Sequence, residues 1–392
     1  MQDLKTAIVV EKMIAPGGGD RFLDSIARIY PNADIFTPVF NRKRYEEAGW
    51  EYEWFSRVIP FFPKIFQRSA AKIDNKGRSR QLSRWIYNIL APYSYEFLDL
   101  RKYNFVISLS ARFAKSIITL PETFHLNIYL TPGRYEWDNN KTLHTHKRKL
   151  GSIRALISDL AASRFRVWDR LSAIRPDMNL AISNYVAAKV RKYYEINSQV
   201  IYPPISESWL DLPGPDSSEA PTANSKNGYF LCVSRLYDYK RIDWAIKAAH
   251  QLDQHLIVVG TGPEKSYLEN LAGDSGRIEF TGFISDEKLA ALYRDAKCLI
   301  FPGEEDFGYV PLEAMSQGCP VIAFHKGGAA ETVIPGKTGL LFKNFDDLIE
   351  KMRKFDNLQF EKKLIRKRAG DFRLKDFKHA MMKLTADYLK SH

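Results

Sequence analysis

Two glutamates flank a glycine-containing loop in the sequence EEDFGYVPLE, residues 304–313. Glu305 follows an apolar run of strand length, and Glu313 falls in a segment that Pro311 is suited to open as a helix. Gly308 lets the backbone between them approach a ligand closely. Because the N-terminus of a helix presents backbone N–H groups, the loop predicts a site for an anion such as a diphosphate. Complementing the helix dipole would account for Glu313 alone, but not for Glu305 or the loop.

Three other loops come after apolar runs of strand length. The first contains Gly17, Gly18 and Gly19, the second runs from Arg235 to Lys240, and the third is HKGGAAET (325–332). The arginine and the lysine carry the charges that bind phosphate oxygens. The glycines allow close approach of backbone to phosphate or sugar, although the first group lacks the spacing of the dinucleotide fingerprint. Each loop by itself could be an ordinary surface feature, so the prediction depends on all four together.

The elements that position these loops alternate between short β-rich runs and longer segments with helical spacing. The runs include AIVV (7–10), FVISLS (105–110), LNIYL (126–130), YFLCVS (229–234), HLIVVG (255–260) and PVIAF (320–324). Alternation of this kind predicts βαβ units and parallel sheets, and two such series predict two doubly wound domains. Ligands of such domains bind beyond the carboxyl ends of the strands, where all four loops lie.

A chain of 392 residues is also too long for one ordinary core. We predict an N-terminal domain over residues 1–205, a linker over 206–227 that is dense in Pro, Ser, Asp and Asn, and a C-terminal domain over 228–370. Residues 371–392 are predicted to form a C-terminal helix that packs back on the first domain.

The charge is unevenly distributed. The net charge is +12, and residues 1–200 hold 32 Lys and Arg against 19 Asp and Glu. Such an excess favours an anionic partner over a merely solvated basic face. Residues 54–72 mix bulky apolar side chains with Arg and Lys, so Trp54, Phe55, Phe61 and Phe62 predict either a membrane interface or a partly buried helix.

Composition excludes other classes of protein. The apolar and charged fractions of 45% and 27% are globular values, and no run approaches the roughly 18 apolar residues of a membrane span. The N-terminus carries acids before a short apolar run, so it is not a signal peptide. Three cysteines without metal-ligand spacing predict buried thiols in a reducing compartment, and no D-x-D metal element is found.

The motifs together resemble the retaining glycosyltransferases of family 4. The matching sequences are GGGD (17–20), TPGRYEWD (131–138), VSRLYDYKR (233–241), TGFISDEKLAALY (281–293), FPGEEDFGYVPLEAMSQGCPVIA (301–323) and HKGGAAETVIPGKTGLLF (325–342). The resemblance covers nearly the whole chain and is greatest to bacterial mannosyltransferases of O-antigen, capsule or exopolysaccharide assembly. It implies the α/β GT-B fold, with two facing Rossmann-like domains and the active site in the interdomain cleft.

The resemblance also implies roles for the motif residues. Glu305 would contact hydroxyls of the donor sugar, and Glu313 would bind the ribose. Arg235 and Lys240 would neutralise the diphosphate as it leaves. The remaining donor contacts would come from Gly308, from the N–H groups of Tyr309 and Val310, from backbone at Phe283 and Ile284 around the base, and from Gly17, Gly18 and Gly19.

Acceptor-side residues implied by the resemblance are Arg134, Tyr135 and Asp138. One position departs from the pattern, because many relatives have a histidine where this chain has Leu130. His125 is predicted to lie at the wrong end of its strand to replace that histidine. The departing phosphate could then accept the proton of the acceptor.

The resemblance thus implies a hexosyltransferase, and neither a cofactor nor a divalent metal is expected. The donor is expected to be GDP-mannose and the acceptor a lipid-linked or membrane-bound glycan. The expected location is the cytoplasm, with peripheral binding to an anionic membrane surface on the inner face of the cytoplasmic membrane. One alternative is the same fold with a UDP-sugar donor, and a second is a non-enzymatic basic protein that binds nucleic acid or membrane. The acidic motif residues and the lack of a nucleic-acid signature argue against nucleic acid.

Overall fold

The computed structural model describes residues 4–62, 87, 90–137, 152–212 and 228–391. The chain divides into two compact units. The first consists of Met1–Ile201 together with Leu384–His392, and the second is Tyr202–Lys383. Each unit is built around one parallel sheet, so the prediction of two α/β domains is confirmed.

The sheet of the first unit has seven parallel strands in the order β3-β2-β1-β4-β5-β6-β7. The strands are β1 (Thr6–Val10), β2 (Asp34–Thr37), β3 (Val58–Pro60), β4 (Phe105–Ser110), β5 (Phe124–Tyr129), β6 (Met178–Ala181) and β7 (Gln199–Val200). Strands β1, β4 and β5 are buried along their whole length, as expected when helices cover both faces of a parallel sheet.

Within the described residues, five helices and a further helical stretch accompany this sheet. They are α1 (Gly18–Ile29), α2 (Arg42–Glu47), α3 (Arg134–Trp137), α4 (Ser152–Ala173) and α5 (Asn184–Tyr194), and residues 90–96 are also helical. Helix α1 begins at the glycines themselves, because the carbonyl of Gly17 accepts hydrogen bonds from the N–H groups of Asp20 and Arg21 at 3.0 and 3.3 Å.

Residues 53–57 form a 3₁₀ turn that packs into the first unit, contrary to the predicted membrane interface. Trp54 and Phe55 are buried, and the indole N–H of Trp54 donates to Asp24 at 3.0 Å. The guanidinium of Arg57 donates to backbone carbonyls, with Nη1 2.8 Å from the oxygen of Ala33. These side chains therefore belong to the core. The rest of the segment for which a membrane interface was one prediction, residues 63–72, lies outside the described residues.

The second unit has six parallel strands in the order β10-β9-β8-β11-β12-β13. The strands are β8 (Phe230–Val233), β9 (Leu256–Val259), β10 (Ile278–Gly282), β11 (Cys298–Phe301), β12 (Val321–Phe324) and β13 (Gly339–Phe342). In the order of the chain this is the doubly wound 3-2-1-4-5-6 arrangement, in which the direction of winding reverses between β8 and β11.

The helices of the second unit alternate with its strands. They are α6 (Glu207–Asp211), α7 (Ile242–Gln251), α8 (Lys265–Ala272), α9 (Asp286–Asp295), α10 (Tyr309–Ser316), α11 (Ala329–Thr332), α12 (Phe345–Lys354), α13 (Lys362–Gly370) and α14 (Leu374–Ser391). The end of α14 groups with the first unit, where Tyr388 stacks on Phe124 with their ring centroids 3.6 Å apart.

The predicted linker begins too early. Residues 207–211 form α6, whose Trp209 is buried with its ring 5.9 Å from that of Tyr293. The amide of Gln317 donates to the carbonyl of Trp209 at 3.0 Å. Polar composition favoured a loop here, but one buried tryptophan anchors the helix to the second unit. Residues 213–227 of that predicted linker lie outside the described residues.

Candidate active site

The carboxyl ends of β8 and β11 lie side by side at the point where the winding of the second unit reverses. Residues 234–240 follow β8, and residues 302–308 follow β11. In doubly wound sheets, this is the edge that binds ligands. The fold therefore brings two of the four predicted loops together, although they are about 65 residues apart in sequence.

Lys240 and Glu305 form an ion pair between these two loops, with Nζ donating to Oε1. Lys240 is buried and Glu305 is partly exposed. Arg241, the next residue, has a left-handed backbone conformation with φ of 53°, which an L-residue adopts only at a cost. It ends the 3₁₀ turn of Asp238–Lys240 and begins α7. The turn holds the lysine under the loop that carries Glu305.

Glycines fix the position of the Glu305 loop. A Cβ atom on Gly327 would lie 2.4 Å from the carbonyl oxygen of Glu305, and one on Gly328 would lie 2.4 Å from the Cα atom of Phe307. The N–H of Gly328 donates to the carbonyl of Glu305 at 2.8 Å. The glycines of HKGGAAET thus allow close approach of two segments of this chain, whereas the sequence suggested close approach to a ligand.

Helix α10 begins at Tyr309, two residues before the predicted start at Pro311. Gly308 precedes it with φ of 90°, in the left-handed region that favours glycine. Tyr309 and Val310 are consequently in the first turn, whose N–H groups have no acceptor within the helix itself. Glu313 is buried and lies beyond that first turn. Its depth disfavours the alternative that it only complements the helix dipole.

Arg235 is exposed at the end of β8, with its guanidinium 5.6 Å from the ring centroid of Tyr237. The loop that carries it is held by the glycines after β9. A Cβ atom on Gly260 would lie 1.9 Å from the carbonyl oxygen of Ser234, and Leu236 N donates to the carbonyl of Thr261 at 2.9 Å. Arg235 therefore projects from a fixed backbone and is accessible to an anion.

Phe283 and Ile284 follow β10 at the same edge of the sheet. The side chain of Phe283 is largely exposed, which is unusual for an aromatic residue that could pack against a core. An exposed ring of this kind can lie against a planar group such as a base. In the strand order, β9 lies between this position and Lys240, which follows β8.

Tyr202 is a site residue that the sequence did not indicate. Its hydroxyl donates to Oε2 of Glu331 at 2.9 Å, and its ring lies 6.4 Å from that of Phe307. Arg368 donates to the carbonyl of Glu331 at 2.9 Å. These contacts support the Glu305 loop from below. The two contacts of Tyr202 join residues more than 100 positions apart, and no local pattern signals them.

In the first unit, the predicted glycines precede and begin α1. A Cβ atom on Gly19 would lie 3.5 Å from the side chain of Leu130, so the glycine loop and the segment after β5 are neighbours. Arg134 and Tyr135 lie on helix α3, with side chains outside the described part of the chain, as is all of Asp138.

Glu11 lies where the winding of the first sheet reverses, directly after β1. Its Oε1 accepts hydrogen bonds from four consecutive backbone N–H groups that follow β4, those of Ala111, Arg112, Phe113 and Ala114, at distances of 2.6 to 3.3 Å. Four N–H groups directed at one point form an anion-binding concavity. In this unit, a side chain of the protein itself fills it.

Two buried ion pairs lie beside the segment that would bind the acceptor. Lys115 pairs with Asp169, and both are almost fully buried. Oδ2 of Asp169 also accepts from the indole N–H of Trp137 at 2.7 Å and from the hydroxyl of Tyr194 at 2.8 Å. The second pair joins Arg112 to Glu136, and burial raises the pKa of this glutamate more than its partner lowers it. Asp169 thus fixes the end of α3.

His125 is the second residue of β5 and is fully buried, with Nε2 2.8 Å from the hydroxyl oxygen of Ser108. Burial lowers the pKa of the imidazole from 6.5 to about 3, and the charge of Arg175 adds to this effect. His125 is therefore neutral near pH 7.

This histidine should make the first unit less stable in acid. The unfolded chain takes up a proton near pH 6.5, whereas the folded chain does so only near pH 3. The free energy of unfolding should therefore fall as the pH is lowered below 6.5, by about 2 kcal/mol between pH 7 and pH 5 from this group. Urea unfolding at both pH values tests this, and His125→Gln should flatten the dependence by that amount. An equal pH dependence in both proteins would contradict the assignment.

No group of three or more His, Cys, Asp or Glu side chains that could hold a metal ion occurs within residues 4–62, 87, 90–137, 152–212 and 228–391. In the same residues, no helix is both long and apolar enough to cross a bilayer.

The second unit matches a known family in sequence. Residues 215–370 match the model described as glycosyl transferases group 1. Human alpha-1,3/1,6-mannosyltransferase ALG2 is 29% identical over 206 residues, 45% of this chain and 49% of that protein. The GDP-mannose-dependent alpha-(1-6)-phosphatidylinositol monomannoside mannosyltransferase of Mycolicibacterium smegmatis is 37% identical over 132 residues, which are 30% and 35% of the two chains. The chain spans about half the length, or less, of these relatives.

Solved structures match over both units. Sucrose-phosphate synthase from Thermosynechococcus elongatus has a TM-score of 0.68 at 18% identity, with 99% of this chain and 100% of that chain covered. Anabaena HepE in complex with UDP has a TM-score of 0.63 at 18% identity, with 97% and 100% covered. At this level of identity the matches establish the fold, and the predicted GT-B class is confirmed.

Proposed function

We propose that this protein is a retaining glycosyltransferase that moves mannose from GDP-mannose to a lipid-linked or membrane-bound glycan. One observation carries the proposal: the Lys240–Glu305 pair lies at the ligand-binding edge of the second sheet, just before the N-terminus of α10. A buried cation, a carboxylate and a helix N-terminus form a site for a sugar diphosphate. The names of the mannosyltransferase relatives support the choice of donor.

In the proposed reaction, the bond between the anomeric carbon and the phosphate oxygen breaks, and the diphosphate leaves with the electron pair. Lys240, Arg235 and the first N–H groups of α10 stabilise the negative charge that develops on it. Glu305 orients the sugar through its hydroxyls, and Glu313 binds the ribose. The acceptor hydroxyl forms the new bond on the face that the phosphate leaves, and its proton passes to that phosphate. No metal ion is required, because these groups supply the positive charge.

A panel of nucleotide sugars tests the donor. Without an acceptor, the full chain should hydrolyse nucleotide sugars slowly, and the rate should be higher for GDP-mannose than for UDP-glucose, UDP-galactose or UDP-N-acetylglucosamine. GDP should also raise the melting temperature more than UDP does. Hydrolysis should survive EDTA. A preference for a UDP-sugar would replace the donor while retaining the enzyme class. No hydrolysis of any donor, with no stabilisation by either nucleotide, would contradict the proposal.

The phosphate roles predict a selective loss of affinity. Arg235→Ala should weaken GDP binding by about tenfold or more, because a hydrogen bond to a charged group is worth roughly 1.5–3 kcal/mol. Guanosine binding should change little, since the side chain is proposed to contact phosphate. Titration calorimetry with both ligands measures the difference. Arg277→Ala is the matched control, because this exposed arginine precedes β10 at the opposite edge of the sheet. Equal losses for GDP and guanosine would rule out a phosphate role.

A further inference from the structure

The loop after β8 holds its two cations in different ways. Lys240 forms an ion pair with Glu305, so a carboxylate of the protein balances its charge. Within the described residues, no carboxylate forms an ion pair with Arg235. The guanidinium of Arg235 instead lies over the ring of Tyr237, 5.6 Å from the ring centroid. Arg235 therefore keeps its full positive charge, and an aromatic side chain provides the contact that orients it.

The backbone of this loop brings the two side chains together. The N–H of Tyr237 donates to the carbonyl of Arg235 at 2.9 Å, which closes a three-residue turn. Leu236 lies between them and is fully buried, and its N–H donates to the carbonyl of Thr261 at 2.9 Å. The carbonyl of Leu236 accepts from the N–H of Glu264 at 3.1 Å. Because the core anchors Leu236, the exposed side chains on either side of it project from a fixed backbone.

A second tyrosine continues the arrangement towards Lys240. The ring of Tyr239 lies 5.8 Å from that of Tyr237, and the ammonium of Lys240 lies 5.2 Å from the centroid of Tyr239. The N–H of Lys240 donates to the carbonyl of Tyr237 at 3.0 Å. A continuous series of contacts thus joins the two cations that are proposed to bind the diphosphate. Tyr237 is the more exposed of the two rings, so burial in the core does not account for an aromatic residue there.

An aromatic ring suits this position better than a carboxylate would. A carboxylate would orient the guanidinium of Arg235, but it would occupy the N–H groups that a phosphate needs. The face of an aromatic ring attracts a cation and leaves the N–H groups in the guanidinium plane available to a phosphate. An arginine side chain also loses considerable rotamer entropy when it binds a ligand, and a contact made beforehand reduces that loss.

We propose that Tyr237 is a positioning residue that holds Arg235 ready for the diphosphate of the donor, and that it does so through its ring and not its hydroxyl. The contact on which this depends joins the guanidinium to the ring face. The inference rests on the proposed function, because it assumes that Arg235 binds the diphosphate. It differs from a role in ligand contact, in which Tyr237 would touch the nucleotide itself.

A double-mutant cycle tests the proposal by titration calorimetry of the full chain with GDP and with guanosine. Tyr237→Leu should weaken GDP binding by about two- to fivefold, the range expected for the loss of a cation–aromatic contact at an exposed site. Guanosine binding should not change. Tyr237→Phe keeps the ring and should bind GDP like the wild type. In an Arg235→Ala background, Tyr237→Leu should cause no further loss, because no guanidinium remains to be positioned.

Tyr93→Leu is the matched control, because this exposed tyrosine belongs to the first unit and to neither loop of the site. It should leave the binding of both ligands unchanged, and each single tyrosine variant should keep the wild-type melting temperature.

Three results would overturn the positioning role of Tyr237 alone. The first is unchanged GDP affinity in Tyr237→Leu while Arg235→Ala weakens binding. The second is a loss that persists in the Arg235→Ala background or extends to guanosine, because Tyr237 would then contact the ligand itself. The third is an equal loss in Tyr237→Phe, which would assign the effect to the hydroxyl. If Arg235→Ala left GDP binding unchanged, the phosphate role within the proposed function would fail, and the positioning role with it.

Discussion

Glu305→Ala should lower the rate of sugar transfer by about ten- to a hundredfold without unfolding the second unit. The carboxylate is proposed to make one charged hydrogen bond to the sugar that is realised fully only in the transition state, which is worth roughly 1.5–3 kcal/mol. It is partly exposed on a loop, so little packing is lost, but the buried ammonium of Lys240 loses its partner, and some stability of the second unit is lost with it. Initial rates with saturating GDP-mannose, together with the melting temperature, separate the two effects.

Two further variants sharpen this test. Glu305→Gln keeps an oxygen that can accept from Lys240 and should retain more activity than the alanine variant. Glu361→Ala removes an exposed carboxylate just before α13, in the same unit, and should leave the rate unchanged. Near-normal turnover of Glu305→Ala would mean that the carboxylate has no role beyond its ion pair.

Asp169→Asn should lower the free energy of unfolding of the first unit by about 3–5 kcal/mol. The substitution leaves the ammonium of Lys115 charged and buried without a carboxylate, and breaking one side of a buried ion pair carries a cost of this size. The added change Lys115→Met should restore much of the loss, because it removes the uncompensated charge. Urea unfolding followed by tryptophan fluorescence measures both variants.

An exposed ion pair in the same unit provides the control. Asp99 pairs with Arg101, and both side chains are largely exposed. Asp99→Asn should leave the free energy of unfolding nearly unchanged, because solvent already screens the pair. If Asp169→Asn had an equally small effect, the cluster around Lys115 would not determine the stability of this unit.

The fold was predictable because its signals are local. Runs such as FVISLS and PVIAF are fully buried strands whose composition indicates a parallel sheet, and the structure places β4 and β12 there. Glycines and charged residues after these runs indicated that the functional loops lie at the carboxyl ends of the strands. The second sheet then brings Arg235, Lys240 and Glu305 to one edge, as its winding requires.

The remaining features depend on contacts between distant segments. Trp54 and Phe55 lie among charged and polar residues in a way that also suits a membrane surface, and only the packing of the 3₁₀ turn shows that they are buried. Lys115 and Asp169 are 54 residues apart, and Tyr202 and Glu331 are 129 apart.

Glu11 makes the ligand-binding edge of the first unit unfavourable for an anion. In the second unit, Lys240 and the start of α10 lie where the winding direction reverses, and both favour an anion there. In the first unit, the equivalent position already contains a carboxylate bound by four backbone N–H groups. A phosphate would have to displace it and would be repelled by it. The chain therefore supplies its own anion at this edge of the first unit, and a second anion is disfavoured there. Two units with related winding orders thus differ in the charge that their ligand-binding edges can accept, and one side chain contributes to that difference.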